Sequence, residues 1–224
     1  ARLPYGSKSA STIQHYLDQC LNFLTKYQPR AIVVACNSAS TALLGSDRKY
    51  SLPVLNVIEP GSRVALSSSA SKRIGVLATR ATVLSEAYVK SIHRSDAQAE
   101  VFQQACPLLV PLVEEGWVDD PVTNLIVYRY VSGLLKQNVD TVILGCTHFP
   151  VLRTAIQKAT GPGVQLVDSS QALIQDLEKL GNSPSSTNGI RKILCTDFSP
   201  RLEETIRLIL GGIKLDLIET VDLN

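Results

Sequence analysis

The sequence contains no methionine, a single tryptophan and only 5% aromatic residues. Without even an initiator methionine, "ARLPYGSKS" (1–9) reads as a loop entering a helix, and the expectation is that the native start lies upstream. No Lys/Arg run is longer than "KR" at 72–73, and the aromatics are not interleaved with basic positions. The net charge of +2 is therefore dispersed and leaves no nucleic-acid footprint. No apolar run approaches the roughly 20 residues that span a bilayer, and no charged-then-apolar N-terminal segment resembles a signal peptide. Cysteines stand at 20, 36, 106, 146 and 195, an odd number without tight pairing, which excludes a secreted disulfide framework and places the chain in a reducing cytoplasm. "EPG" (59–61) and "GPG" (161–163) are turn punctuation, and no Gly-rich phosphate loop follows a strand, so nucleotide use has no support.

What is present is ordinary globular chemistry: 224 residues, 45% hydrophobic and 19% charged. Short β-branched runs alternate with helical patterns. "RAIVVAC" (30–36), "VLNVIEPG" (54–61), "RIGVLAT" (73–79), "AEVFQQAC" (99–106), "DTVILGC" (140–146) and "RKILCTD" (191–197) read as strands, with "KLDLIETVDL" (214–223) as a last one. "NSASTALL" (37–44), "TVLSEAYVKSIH" (82–93), "VTNLIVYRYVSGLLKQ" (122–137), "PVLRTAIQKAT" (150–160) and "SPRLEETIRLILGG" (199–212) have helical spacing. Near-continuous apolar strands joined by helices predict parallel sheets covered on both faces, with ligands bound beyond the carboxyl ends of the strands. "EPGSRVALSSSASK" (59–72) and "GNSPSSTNG" (181–189) are the stretches richest in Ser, Gly, Pro and Asn, and they bracket a central segment. The expected architecture is thus α/β with two similar lobes, each a mainly parallel sheet flanked by helices, and an active site in the cleft between them. Residues 1–72 with 188–224 form the first, discontinuous lobe, and residues 73–187 the second.

One local design occurs twice. "AIVVACNSAS" and "TVILGCTHFP" each give a buried strand, a cysteine at its carboxyl end and polar residues opening a helix. Each lobe would contribute one thiol, Cys36 or Cys146, to opposite sides of a single cleft. A helix N-terminus presents unpaired N–H groups and partial positive charge, which is expected to lower a thiol's pKa and to attract a carboxylate. Two acid/base groups on opposite faces of one carbon can invert it, one removing a proton as thiolate and the other returning one as thiol. "KILCTDFSP" has the same local form around Cys195, so that form alone does not identify a catalytic thiol. Cys20, on a helical pattern, and Cys106, before Pro107, read as structural. His148 beside Cys146 suggests zinc only weakly, because His15 and His93 sit in helical patterns and supply no ligand spacing; the expectation is no metal.

"PYGSKS" (4–9), "ACNSAS" (35–40), "VIEPG" (57–61), "GVLATRAT" (75–82), "PLVEEGW" (111–117) and "GCTHFP" (145–150) occur in an order that resembles glutamate racemases of the aspartate/glutamate racemase family. The similarity runs from residue 2 to about residue 170, with a looser fit beyond. It implies a cofactor-independent isomerase that interconverts L- and D-glutamate by a two-cysteine proton transfer and supplies D-glutamate for bacterial peptidoglycan. By that resemblance Cys146 deprotonates L-glutamate and Cys36 the D-enantiomer. Tyr5, Gly6, Asn37, Ser38, Thr147 and His148 match positions that hold substrate, with Thr82 joining them, and Glu114 or Glu115 acts with His148 to tune Cys146. Ser38 stands where Thr is commoner and Phe149 where Tyr is, and the family's opening strand with its Asp-Ser-Gly element is absent from this sequence. The expected partners are glutamate as a small-molecule substrate and a second copy in a homodimer, with no nucleic acid and no membrane. The alternatives are a superfamily member acting on aspartate, hydantoin or maleate, or an amino-acid-binding relative that has lost catalysis.

Overall fold

A computed structural model describes residues 2–181, 189–211, 213 and 215–223. The chain divides into two compact units, Arg2–Asp176 and Leu177–Asn224. In the first unit a 3-10 turn at Tyr5–Ser7 leads into α1 (Ala10–Thr25), whose N-terminus is capped by the Ser9 hydroxyl accepting from the Thr12 N–H. β1 (Ile32–Val34), α2 (Asn37–Leu44) and β2 (Val54–Asn56) follow, and β1 and β2 pair in parallel. Ile13, Leu17 and Leu21 of α1 bury against Ile32 and Val34 of β1 and Ala39 of α2, forming a small core under one face of this sheet.

After β2 the chain departs from the sequence expectation. "VLNVIEPG" is a strand only to Asn56, and Ile58–Ser68 form a helix, α3, where a Ser-rich connector was expected. The cause is local. The Asn56 carboxamide oxygen accepts from the Ile58 and Glu59 N–H groups, and its amide donates to Glu59, so the strand's last residue nucleates the helix. Pro60 sits in the first turn, where a missing N–H costs nothing. Ser62 and Ala65 are buried, which makes the small residues of "GSRVALSS" a packing face.

β3 (Arg73–Ala78), α4 (Arg80–Ser85), α5 (Ala87–Ser95) and β4 (Glu100–Ala105) come next. The expected single helix over 82–93 is two, broken at Glu86, whose φ of 55° is left-handed. α6 (Leu109–Glu114), α7 (Pro121–Leu135) and β5 (Thr141–Gly145) lead to a 3-10 turn at Phe149–Leu152. Pro150 lies in that turn, and α8 (Arg153–Thr160) begins only at Arg153. β6 (Gln165–Val167) and α9 (Ser170–Lys179) complete this stretch. The second sheet is parallel throughout, in the order β4-β3-β5-β6. Its central strands β3 and β5 are near-continuously apolar because both of their faces are covered. Val142 and Leu144 point into one core, shared with Val127 and Val131 of α7, while Ile143 points into the other, shared with Ile58 of α3 and Ile92 of α5.

The second unit carries β7 (Lys192–Cys195), α10 (Pro200–Leu210) and β8 (Leu217–Thr220), with β7 and β8 parallel. Gly211, at φ 57°, ends α10 in a conformation that glycine adopts freely. Residues 182–188 of the expected connector "GNSPSSTNG" lie outside the described residues. No helix among the described residues is long and apolar enough to cross a membrane.

Candidate active site

The register of the second sheet aligns Ala78 with Gly145, so Thr79 and Cys146 leave the carboxyl ends of β3 and β5 side by side. Cys36 leaves β1 in the same manner and occupies the N-cap of α2. Both cysteines line one cavity of about 330 Å³, held between the two sheets of the first unit. Tyr5, Gly6, Asn37, Ser38, Thr147 and His148 also line it, as does Glu114 from the end of α6. The cavity is also lined by Leu17, Leu21 and Leu24 on the apolar side of α1.

Two expected site residues stand elsewhere. Thr82 is fully buried and does not line the cavity; it lies behind Ser38 and Thr79. The Ser38 hydroxyl is 2.9 Å from Thr79 Oγ1 and 3.3 Å from Thr82 Oγ1, and the two threonine hydroxyls are 3.1 Å apart. Thr79, not singled out from the sequence, therefore both lines the cavity and N-caps α4 by accepting from the Thr82 N–H. Its signal was its place, a hydroxyl directly after a buried strand and three residues before another threonine. Glu115, at the C-cap of α6, is exposed and does not line the cavity, so of the two neighbouring glutamates only Glu114 faces it. Gly6 is explained by close approach. A Cβ there would stand 2.5 Å from Thr79 Cβ, so only glycine lets the 3-10 turn press against β3's exit.

The Cys146 side carries an imidazole and a carboxylate. His148 Nδ1 lies 3.9 Å from Cys146 Sγ, and His148 Nε2 lies 3.3 Å from Glu114 Oε1. The Cys36 side carries hydroxyls and an amide. Burial pushes both thiols up, Cys146 to about 12, which reverses the lowering expected from helix N-termini. Backbone N–H groups do act in the expected direction, from Ser38 and Ala39 on Cys36 and from His148 and Phe149 on Cys146, but burial outweighs them. A Cys146 charge also feels Cys36, which raises it further.

Cys20 was read as core; it is half-buried and lines the same cavity. Cys106 packs in the core with its thiol donating to the Gln104 carbonyl at 3.4 Å, and Cys195 lies in the second unit, bonded to the Glu219 carbonyl at 3.6 Å. Among the described residues no cluster of three or more His, Cys, Asp or Glu is placed to hold a metal ion.

A family profile described as Asp/Glu/Hydantoin racemase matches residues 1–177. The chain belongs to this family. Its most similar relatives include the glutamate racemase of Geobacter metallireducens, 46% identical over 95% of this chain and 81% of that protein. The glutamate racemase of Sulfurihydrogenibium is 42% identical over 100% of this chain and 86% of its own length. Among solved structures, a glutamate racemase isoform from Bacillus anthracis superposes with a TM-score of 0.91, at 32% identity over 99% of this chain and 85% of that one. The Francisella tularensis glutamate racemase in complex with D-glutamate gives 0.88, at 31% identity over 99% and 84%. The racemase described here is accordingly an isomerase, and its two-lobed α/β architecture is that of these structures.

Proposed function

We propose that this racemase interconverts L- and D-glutamate by proton transfer between Cα and two thiols, Cys36 and Cys146. The observation that carries the reading is that the two cysteines reach one cavity from the carboxyl ends of strands in different sheets. Cys146, as thiolate, takes the Cα proton of L-glutamate, and the C–H electron pair stays on Cα, delocalised into the α-carboxylate. Cys36, as thiol, gives its proton to the opposite face, leaving D-glutamate, a Cys146 thiol and a Cys36 thiolate. The reverse traffic runs from D-glutamate.

Burial raises both thiols, so each thiolate, once formed, is a stronger base toward Cα, but little of it exists at neutral pH without a neighbour to take the thiol proton. Burial also keeps the donating thiol protonated until it is needed. His148, 3.9 Å from Cys146 and backed by Glu114, is the group positioned to accept the proton when the Cys146 thiolate forms. Asn37, Ser38 and Thr147 supply donors for the carboxylates, in a cavity that Tyr5 and Gly6 also line.

The D-glutamate formed serves bacterial peptidoglycan, and the five free cysteines suit a cytoplasmic setting. The homodimer expected from the family has support in α7, whose outward face exposes Val122, Leu125 and Tyr128 at helical spacing. Sedimentation velocity on Leu125→Glu, with a monomer expected, tests that face.

The substrate is tested by circular dichroism of the enzyme incubated with L-glutamate, L-aspartate or a chiral hydantoin in deuterated buffer, and by the ultraviolet absorbance change of maleate turning into fumarate. Glutamate alone is expected to lose its signal to zero, with deuterium entering at Cα. Activity confined to another substrate would overturn the assignment, and binding without deuterium uptake would reduce the protein to a receptor.

A further inference from the structure

We propose that Tyr88 is a positioning residue that holds the Asn37 carboxamide in one orientation and spans the two cysteine-bearing loops. The inference rests on the glutamate racemase reading and adds a residue that touches neither substrate nor thiol. Tyr88 stands in the first turn of α5 and is wholly buried among residues of the larger sheet's core. Its hydroxyl leaves that core and donates to Asn37 Oδ1 at 2.6 Å, across to the residue that follows Cys36. Its ring lies against the backbone just before the other cysteine. A Cβ added to Gly145 would stand 3.1 Å from Tyr88 Cε2 and 2.9 Å from the Leu77 carbonyl oxygen. One side chain thus touches the neighbours of both thiols.

The chemistry follows from the asymmetry of an amide. Asn37 offers an acceptor at one end and two donors at the other, in nearly the same shape. With Oδ1 held by the tyrosine, the NH₂ end is the one left for the cavity that Asn37 lines. A carboxylate in that cavity, gaining charge as the Cα proton leaves, is stabilised by a donor and repelled by an oxygen. A flipped Asn37 would present the oxygen. Burial pushes the Tyr88 phenol far above the usual range, and charge on Cys146 pushes it the same way, so the phenol keeps the proton that it donates to Asn37 Oδ1.

Tyr88→Phe keeps the ring against Gly145 and removes only the hydroxyl. It is expected to lower kcat/KM for glutamate about tenfold, about what losing one buried hydrogen bond does. Thermal melting alone would not separate this role from simple stabilisation, so the test is a double-mutant cycle with Asn37→Ala. If Tyr88 acts through Asn37, Tyr88→Phe costs less than about twofold more in the Asn37→Ala background. An equal loss in both backgrounds, or no loss in the wild-type background, overturns the inference. If Asn37→Ala does not fold, Asn37→Ser takes its place in the cycle. A wild-type enzyme inert toward glutamate would instead refute the substrate assignment, so the two failures are distinguishable.

Discussion

The two thiols are delivered by unequal halves of the first unit. Cys146 ends β5, a strand with a parallel neighbour on each side and cores of nineteen and eleven buried residues above and below. Cys36 follows β1, which pairs with β2 in a two-stranded sheet over a core of six. Each fully buried aliphatic side chain is worth about 1.5–3 kcal/mol, so the second sheet is by far the more strongly stabilised platform. The Cys36 side is steadied by polar ties reaching over from it, Thr79 and Thr82 to Ser38 and Tyr88 to Asn37. The chemistry is also divided unequally, with an imidazole and carboxylate beside one thiol and hydroxyls beside the other. Symmetry of motif in the sequence does not carry over into symmetry of environment.

The hardest way to break the comparison is to remove either thiol. Cys36→Ser and Cys146→Ser are each expected to lower racemisation at least about 10⁴-fold, since a hydroxyl is a poor base and one face of Cα loses its partner. Coupled D-glutamate formation measures it. Near-normal turnover by either variant would refute the two-thiol mechanism.

His148→Asn sharpens the comparison instead. Because the two enantiomers are equal in energy, kcat/KM must fall by the same factor in both directions, here about 10–100-fold. The asymmetry shows in isotope effects. If His148 serves Cys146, the Cys146 step becomes limiting, and Cα-deuterated L-glutamate shows a larger primary effect than Cα-deuterated D-glutamate. Equal effects for the two enantiomers would detach His148 from Cys146.

Most of the fold was legible because its strands are short apolar runs with a cysteine or threonine at the exit, and that is where β1, β3, β5 and β7 lie. α3 was hidden because its helix-forming signal is a side-chain bond from Asn56 in the preceding strand, and beyond Ile58 and Pro60 its buried face is built from the small residues Gly61, Ser62 and Ala65. β6 and α9 were not picked out from the sequence. The site was legible as a pair of echoing motifs, which place Cys36, Asn37, Ser38, Cys146, Thr147 and His148 on one cavity. Thr82 and Glu115 are set back from it, Thr82 behind the hydroxyls of Ser38 and Thr79 and Glu115 at the exposed C-cap of α6. The direction of the thiol shifts was not legible, since it is a contest between burial and backbone N–H groups that only the packing decides.

The smallest expected effect probes what holds the larger-cored half in place. Asp140 immediately precedes β5, the strand that ends in Cys146. Its carboxylate accepts from the Ser69 hydroxyl and the Ser71 N–H, both at 2.6 Å, pinning the connection between α3 and β3 to the start of that strand. Burial alone would raise its pKa, but these bonds outweigh it and hold the carboxyl down at about 2. A depressed carboxylate contributes stability that is fully present above its unfolded pKa of about 3.9 and is lost as pH falls through the folded value. Allowing for solvent screening, that contribution is about 1 kcal/mol. Asp140→Asn turns a donor toward one of these bonds, so Tm at pH 7 is expected to drop by about 2–4 °C. The gap between variant and wild type should close between about pH 4 and pH 2. kcat/KM at pH 7 should be unchanged, because Cys146 lies at the far end of the strand, held by two neighbours and two cores. A gap that persists below pH 2 would make the loss one of packing rather than charge, and a fall in kcat/KM would mean that the two ends of β5 are not mechanically independent.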